Sequence, residues 1–173
     1  MIIWITGISG VGKSTLGNYL IRKIKNKDKL IFIDGDEFRK LFNNDIGFSK
    51  KDRDINAKRL CAFVKYLSSQ GKDLILSANL TDQKFRFWCK KNLKNVYFVH
   101  VVSDLKNLKK RDKKKIYRNI RNNKNQIVGY GIKFNVPKKI TDLVLENNST
   151  RKSFLKKTIL INRMLKKNLF KLS

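Results

Sequence analysis

Five short apolar runs recur along the chain and are separated by longer stretches with helical spacing. The runs are Ile2 to Ile5, Leu30 to Ile33, Leu74 to Leu76, Val96 to Val102 and Leu143 to Leu145. Continuous Ile, Leu and Val, rather than strict apolar–polar alternation, are typical of strands buried on both faces. The pattern predicts an α/β fold of three layers, with a five-stranded parallel sheet flanked by helices.

Between these runs, apolar residues recur at helical spacing over Leu16 to Ile24 and Ile55 to Leu67. Such spacing predicts amphipathic helices that pack on the sheet. Asp52 and Asp54 are the candidate N-caps of the second helix, because a short acidic side chain can accept a hydrogen bond from the first turn.

Two basic segments differ from the rest of the chain. Residues 106–126 are densely basic and poor in large apolar side chains, which favours a mobile, solvent-facing lid over a core helix. Apolar residues alternate with lysines from Arg151 onwards, which predicts a basic amphipathic helix over about residues 151–170. We expect this helix to close the domain against its own sheet; the alternative is a helix that binds a partner or a membrane surface.

Composition limits the possible classes of protein. The 173 residues suit one domain, residues 1–173, and no apolar stretch has the length of a membrane span, so we expect a cytoplasmic protein. Cys61 and Cys89 have none of the spacings of a zinc site or redox dithiol and are expected to be reduced. The net charge of +28 predicts attraction to polyanions, but the lysines are scattered and do not favour nucleic acid as the partner.

A glycine-rich loop directly follows the first predicted strand. Gly7, Gly12, Lys13 and Ser14 satisfy the pattern G-x-x-x-x-G-K-[ST], between a strand and a helix. In such a loop the backbone N–H groups bind nucleotide phosphates, the lysine neutralises the β- and γ-phosphates and the hydroxyl binds Mg²⁺. The chain is therefore predicted to bind ATP and Mg²⁺, with Ser14 as metal ligand. The nucleotide contacts are expected from Gly7, Ser9, Gly10, Gly12, Lys13, Ser14 and Thr15.

A second group of polar residues follows the second predicted strand. Asp34 and Asp36 lie at the sheet edge where reacting groups gather, and a carboxylate there can accept a hydroxyl proton or hold the metal through water. Their alternative role is that of turn and helix-cap residues. Arg39 and Arg53 can clamp an anion and Phe48 can stack on a base, although each alone could be a salt bridge or a core aromatic.

The segment from Ile33 to Arg59, IDGDEFRKLFNNDIGFSKKDRDINAKR, resembles the substrate segment of adenylylsulfate kinases. The resemblance extends over nearly the whole chain and includes the phosphate loop, ILSANLT, RDKKKIYR and VGYGIKFNVPKKITDLVLEN. It implies the P-loop kinase fold, a homodimer and a role in sulfate assimilation. The implied reaction is phosphorylation of the 3′-hydroxyl of adenosine 5′-phosphosulfate by ATP.

Carried over by position, the resemblance implies roles for single residues. Asp36 is the implied catalytic carboxylate, together with Lys13, and Asp34 supports the metal. The acceptor's phosphate–sulfate group and base are assigned to Arg39, Arg53, Asn56 and Phe48. The remaining implied substrate contacts are Thr81, the lid residue Lys114, and Tyr130.

The loop from Ile127 to Gly131 departs from the family pattern, because it lacks the second aromatic that sandwiches adenine and lacks an aspartate. Tyr130 or Phe134 could replace that aromatic. The departure leaves open a related acceptor, such as the cytidine diphosphoramidate used in bacterial capsule decoration.

Two other classes of function remain as alternatives. The positive charge could serve to bind nucleic acid or another polyanion, with the phosphate loop acting as a switch or remaining idle. The domain could also be a non-catalytic scaffold, but the intact Lys13, Ser14 and Asp36 argue against that. His100, Trp4 and Trp88 are expected to be sheet or packing residues.

Overall fold

The computed structural model describes residues 1–24, 28–43, 45–112, 117, 128, 132, 134 and 136–165. Within these ranges, five strands form one sheet in the order β2-β3-β1-β4-β5, and every pair is parallel. The strands are β1 (Ile2–Thr6), β2 (Leu30–Asp34), β3 (Asp73–Ser77), β4 (Val96–Val102) and β5 (Leu143–Glu146). The predicted five-stranded parallel sheet is confirmed, and each predicted run lies in its own strand.

Helices connect the strands and cover the sheet. They are α1 (Lys13–Lys23), α2 (Gly35–Lys40), α3 (Lys50–Ser69), α4 (Gln83–Asn92), α5 (Leu105–Lys110), α6 (Arg151–Lys156) and α7 (Thr158–Leu165), with a 3₁₀ turn at Lys138–Ile140. None of the helices described here has the length and apolarity needed to cross a membrane.

The central strand β1 separates two apolar cores. Ile2 and Trp4 face one core, which includes buried residues of α3 and α4. Ile3 and Ile5 face the other, which includes residues of α1, α6 and α7. Because neighbouring residues of a strand point to opposite faces, this split produces the predicted three layers. Trp4 has the predicted packing role, and its indole N–H donates to the Ala78 carbonyl at 3.0 Å.

The N-cap prediction for α3 was wrong. Ser49 is the N-cap, and its hydroxyl accepts a hydrogen bond from the N–H of Asp52. The Asp52 carboxylate in turn accepts from the Ser49 N–H at 3.2 Å, which completes a capping box. Asp52 therefore lies inside the first turn, and Asp54 lies beyond it. The apolar spacing placed the start of the helix too late because its first turn, Lys50 to Arg53, is wholly polar.

The C-terminal tail forms two short helices rather than the single predicted one. α6 and α7 are divided at Lys157, and residues 166–170 of the predicted helix lie outside the described part. Phe154, Leu155, Ile161 and Leu165 are buried in the same core as α1. The tail is thus a closing element of the domain, as the favoured interpretation predicted.

The segment predicted to form a lid is in part packed against the core. Leu108 of α5 is 1% exposed and Tyr117 is 6% exposed, and both belong to the core that contains α1. At these two positions the chain differs from the solvent-facing segment that the basic composition suggested, because Leu108 and Tyr117 are apolar and pack into the core. Residues 113–116 and 118–126 lie outside the described part.

The two cysteines, distant in sequence, are neighbours in the fold. Cys61 of α3 and Cys89 of α4 are both buried and free, with their sulfur atoms 3.7 Å apart. Both side chains are free thiols in the structure.

Candidate active site

The glycine-rich loop runs from the end of β1 to the start of α1, as predicted. Gly10 and Gly12 have φ angles of +75° and +104°, which side-chain-bearing residues rarely adopt. Gly12 is also the N-cap of α1, so the N-terminus of that helix opens on the loop. Backbone N–H groups and a helix N-terminus thus meet in one place, and this arrangement binds phosphate groups.

The Lys13 side chain folds back over the loop. Its ammonium donates to the carbonyls of Gly7 at 2.9 Å and Ile8 at 3.1 Å. The ammonium is thereby fixed beside the same backbone that is predicted to receive the phosphates. Asn79, which follows β3 and had no predicted role, accepts a 3.0 Å hydrogen bond from the N–H of Gly7 and anchors the start of the loop.

Three oxygen-bearing side chains meet where α1 begins. The Ser14 hydroxyl donates to Oδ2 of Asp34 at 2.6 Å and lies 3.2 Å from the Ser77 hydroxyl. Asp34 and Ser77 end neighbouring strands and are paired in register. Ser77 was missed from the sequence, although a serine that ends an apolar strand at this sheet edge is the signal that could have identified it.

This cluster suits Mg²⁺, which prefers hard oxygen ligands and keeps several waters and phosphate oxygens as further ligands. Ser14 would bind the ion directly, and Asp34 would hold it through water. Among the residues described, no three His, Cys, Asp or Glu side chains cluster in a metal-binding arrangement. A site that relies on one hydroxyl and the nucleotide's phosphates needs no such cluster.

Asp36 lies in the first turn of α2, directly after the Asp34 cap. The Asp36 N–H donates to Oδ1 of Asp34 at 2.9 Å. The Asp36 side chain is exposed at the sheet edge, and its negative charge acts on both Arg39 and Arg53. The Asp34 carboxylate therefore does both things that the sequence suggested for it: it caps α2, and it lies beside Ser14, the predicted metal ligand.

Arg39, Phe48 and Arg53 form one cluster, as predicted. The guanidinium carbons of Arg39 and Arg53 lie 4.8 Å and 5.5 Å from the centre of the Phe48 ring. Arg39 donates to the Gly47 carbonyl at 2.6 Å, and Arg53 donates to the Phe48 carbonyl at 3.0 Å. The two cations thus fix the loop that presents Phe48, whose side chain is 48% exposed.

Burial affects the charge of both arginines. Burial is the main cause that lowers the pKa of Arg39, while Asp36 and other carboxylates oppose it. Burial and then the neighbouring charge of Arg39 lower the pKa of Arg53 to about 10, while Asp36 opposes them. Both guanidinium groups remain positive at neutral pH, so the cluster presents two partly desolvated positive charges, an arrangement that suits an anion.

Of the other residues predicted to contact the acceptor substrate, two lie within the described part of the chain and two lie outside it. Asn56 lies on α3, and its amide oxygen is buried without a hydrogen-bond partner among the described residues. Thr81 directly precedes Asp82, the N-cap of α4. Lys114 and Tyr130 lie outside the described residues.

Phe134, a candidate for the missing base-stacking aromatic, packs beside His100 of β4 and Arg86 of α4. Its ring centre lies 5.8 Å from that of His100 and 5.3 Å from the Arg86 guanidinium carbon. His100 is a strand residue, as predicted, and its Nδ1 lies 3.2 Å from the Thr6 hydroxyl. Burial, with the charges of Arg86 and Lys13 as further causes, lowers the pKa of His100 to about 4.

The chain is similar in sequence to known kinases. A family model described as adenylylsulphate kinase matches residues 1–146. A cytidine diphosphoramidate kinase of Campylobacter jejuni is 35% identical over 166 residues, which are 95% of this chain and 95% of that protein. Adenylyl-sulfate kinase 3 of Arabidopsis thaliana is 37% identical over 120 residues, which are 68% of this chain and 58% of that protein.

Solved structures agree on the fold. The APS kinase of Mycobacterium tuberculosis, in complex with AMPPNP and APS, superposes with a TM-score of 0.77 at 26% sequence identity. The superposition covers 95% of this chain and 96% of the mycobacterial chain. A gluconokinase of Sinorhizobium meliloti reaches a TM-score of 0.62 at 14% identity, over 94% of this chain and 91% of its own. The second likeness shows the fold alone.

Proposed function

Because this chain belongs to the adenylylsulphate kinase family, we propose that it transfers the γ-phosphoryl group of ATP to the 3′-hydroxyl of a nucleotide that carries a 5′ anhydride. One observation carries the proposal: the phosphate loop and the acceptor cluster meet at Asp34. The Ser14 hydroxyl donates to one oxygen of this carboxylate, and the backbone N–H of Asp36 donates to the other. The charge of Asp36 in turn acts on the arginines that flank Phe48.

In the proposed reaction the chain works by positioning and by neutralising charge, since phosphoryl transfer needs little covalent help. Lys13 and the loop's N–H groups bind the β- and γ-phosphates. Asp36 orients the attacking hydroxyl and accepts its proton. Mg²⁺, when bound beside Ser14, neutralises negative charge on the phosphates.

Adenylylsulfate is the first candidate acceptor. In this assignment Arg39, Arg53 and Asn56 bind the phosphate–sulfate group, and the exposed face of Phe48 stacks on the base. Two partly desolvated guanidinium groups suit such an anion, because each can donate two parallel hydrogen bonds. Thr81, Lys114 and Tyr130 are proposed as further acceptor contacts.

Cytidine diphosphoramidate is the second candidate, and a specific observation favours it. The Campylobacter cytidine diphosphoramidate kinase matches 95% of this chain, whereas Arabidopsis adenylyl-sulfate kinase 3 matches 68%. The loop from Ile127 to Gly131 also lacks the second aromatic that would sandwich adenine. A smaller pyrimidine needs less stacking surface than a purine.

The test is ADP release with adenylylsulfate, cytidine diphosphoramidate, AMP and CMP as acceptors, side by side. We expect turnover with one of the two anhydrides and a 3′-phosphorylated product, detected by mass spectrometry. Asp36→Ala serves as the catalytic control. Turnover with simple monophosphates alone would overturn the proposed function, because a monophosphate lacks the anhydride that the arginines are proposed to bind.

The resemblance also implies a homodimer, and we propose that assembly. Sedimentation velocity of the purified protein tests it, since a monomer of 20.3 kDa and a dimer of twice that mass are easily separated.

A further inference from the structure

Two carbonyl groups of the phosphate loop are held by side chains from distant parts of the chain. The Tyr117 hydroxyl donates to the carbonyl of Ser9 at 2.6 Å. The side-chain amide of Asn147 donates to the carbonyl of Val11 at 2.9 Å. The G-x-x-x-x-G-K-[ST] motif contains neither of these residues, and no spacing along the chain places them beside it.

These bonds determine where the next backbone N–H points. In a planar trans peptide, the carbonyl of one residue and the N–H of the next point in opposite directions. Fixing the Ser9 carbonyl toward Tyr117 therefore directs the Gly10 N–H away from the core. The bond from Asn147 to Val11 does the same for the N–H of Gly12.

Both side chains also touch the glycine whose N–H they orient. A Cβ on Gly10 would lie 3.5 Å from Cε2 of Tyr117, and one on Gly12 would lie 2.7 Å from Nδ2 of Asn147. Tyr117 and Asn147 are only 6% and 5% exposed. The loop thus rests on two buried side chains, each opposite a glycine in a left-handed conformation.

Asn147 is itself held in place. Its backbone N–H donates to the Val102 carbonyl at 2.8 Å. Its carbonyl accepts from the Ser103 hydroxyl at 2.8 Å and from the Arg111 guanidinium at 2.5 Å. These bonds fix the backbone of Asn147, so its side-chain amide reaches the Val11 carbonyl from a fixed point.

Tyr117 is similarly fixed, since its backbone N–H donates to the Asp112 carboxylate at 2.6 Å. Burial, with the negative charge of Asp112 as a second cause, raises the pKa of Tyr117 to about 12. The phenol therefore keeps its proton, and remains a donor to Ser9, at neutral pH.

We propose that Tyr117 and Asn147 are positioning residues that aim the N–H groups of Gly10 and Gly12 at the phosphates of the bound nucleotide. The proposal rests on the proposed function, since it requires that the loop bind a nucleoside triphosphate. It predicts that the two residues affect phosphate binding and leave binding of the nucleoside part unchanged.

The deciding variant is Tyr117→Phe, which keeps the ring against Gly10 and removes only the donor. Tyr66→Phe is the matched control, because Tyr66 is 61% exposed on α3 and far along the chain from the loop. The measurements are the calorimetric affinity for ATP, the affinity for adenosine by competition, and the melting temperature. Loss of one hydrogen bond should weaken ATP binding about two- to tenfold. Adenosine binding should not change.

The outcomes separate the proposals. Unchanged ATP affinity in Tyr117→Phe, with or without a lower melting temperature, overturns the positioning role, because the bond then supports only packing. Equal losses for ATP and adenosine also overturn it. If the wild-type protein binds no nucleoside triphosphate, the proposed function fails, and this inference fails with it.

Asn147→Leu provides a second measurement, since leucine has a similar volume and cannot donate to Val11. The same selective loss of ATP affinity supports the proposal. Wild-type ATP affinity in a folded Asn147→Leu protein overturns the role of Asn147. If that variant does not fold, the decision rests on Tyr117→Phe.

Discussion

Asp34 accepts a 2.6 Å hydrogen bond from the Ser14 hydroxyl through one carboxylate oxygen and a 2.9 Å bond from the Asp36 N–H through the other. The side chain thus joins the first turn of α1 to the first turn of α2. The first turn of α1 carries the proposed metal ligand, and the first turn of α2 carries the proposed base. Both groups are therefore positioned by a single carboxylate.

The first prediction concerns the charge of Asp34. Asp34→Asn keeps an oxygen that can cap α2 but removes the negative charge beside Ser14. We expect about a tenfold higher Mg²⁺ requirement, since a charge-assisted bond to metal-bound water is worth about 1.5 kcal/mol more than a neutral one. Calorimetric ATP affinity with and without Mg²⁺ measures this, apart from turnover. If ATP binding by Asp34→Asn depends on Mg²⁺ as it does in the wild-type protein, Asp34 does not take part in the metal site.

The second prediction concerns Asp36. Asp36→Asn should lower the rate of ADP formation about 10²- to 10⁴-fold, which is the usual contribution of a general base, and should leave ATP affinity near the wild-type value. Glu37→Gln is the matched control, because Glu37 is the next residue of α2 and pairs only with Lys40 among the ion pairs found in the described residues. A wild-type rate in Asp36→Asn would rule out the proposed role.

Much of this arrangement could be predicted because its signals are local. The phosphate loop is a short pattern between a strand and a helix, and the strands are continuous apolar runs. Asp34 and Asp36 were placed correctly because the carboxyl ends of parallel strands meet at one edge of the sheet. Arg39, Phe48 and Arg53 were grouped because two arginines can clamp an anion and an aromatic between them can stack on a base, and the family resemblance of the segment from Ile33 to Arg59 gave them one shared role.

The residues that were missed act over long distances in sequence. Tyr117 and Asn147 contact the loop across 108 and 136 positions, and no spacing rule reports such a contact. The α3 cap was misplaced because a polar first turn has no apolar periodicity. The tail was predicted as one helix because periodicity does not reveal the interruption at Lys157.

The third prediction separates the acceptor site from the ATP site. Arg53→Lys keeps a positive charge but loses the planar guanidinium that contacts Phe48 and is proposed to bind the acceptor's anion. We expect the KM for the acceptor to rise about tenfold while the KM for ATP stays unchanged. Arg163→Lys, at an exposed position of α7, is the control. A rise in the KM for ATP instead would place Arg53 on the donor side of the reaction.

The fourth prediction concerns the two thiols. Cys61 and Cys89 are buried, and the contact with Cys61, together with burial, raises the pKa of Cys89 well above its usual value. Because the thiolate is the reactive form, the native protein should react very slowly with a thiol reagent at pH 8. In the denatured protein both thiols should react rapidly. Rapid labelling of the native protein would show that the helices α3 and α4 separate readily.

The fifth prediction concerns the pH dependence of stability. The pKa of His100 is lowered to about 4 in the folded protein, against 6.5 for the exposed imidazole, mainly by burial and then by the charges of Arg86 and Lys13. Between these two values the unfolded chain binds a proton that the folded chain does not. His100 therefore stabilises the fold fully above pH 6.5, and this contribution is lost as the pH falls toward 4. The loss is at most about 3 kcal/mol.

Urea unfolding at pH 7.5 and pH 5 measures this effect, and His100→Gln isolates it from the carboxylates that titrate in the same range. The free energy of unfolding should fall more steeply with decreasing pH in the wild-type protein than in His100→Gln, whose side chain does not titrate. Equal slopes would mean that His100 is protonated as easily in the folded protein as in the unfolded chain. In that case Phe134, Arg86 and Thr6 would not enclose the imidazole in solution as they do in the structure.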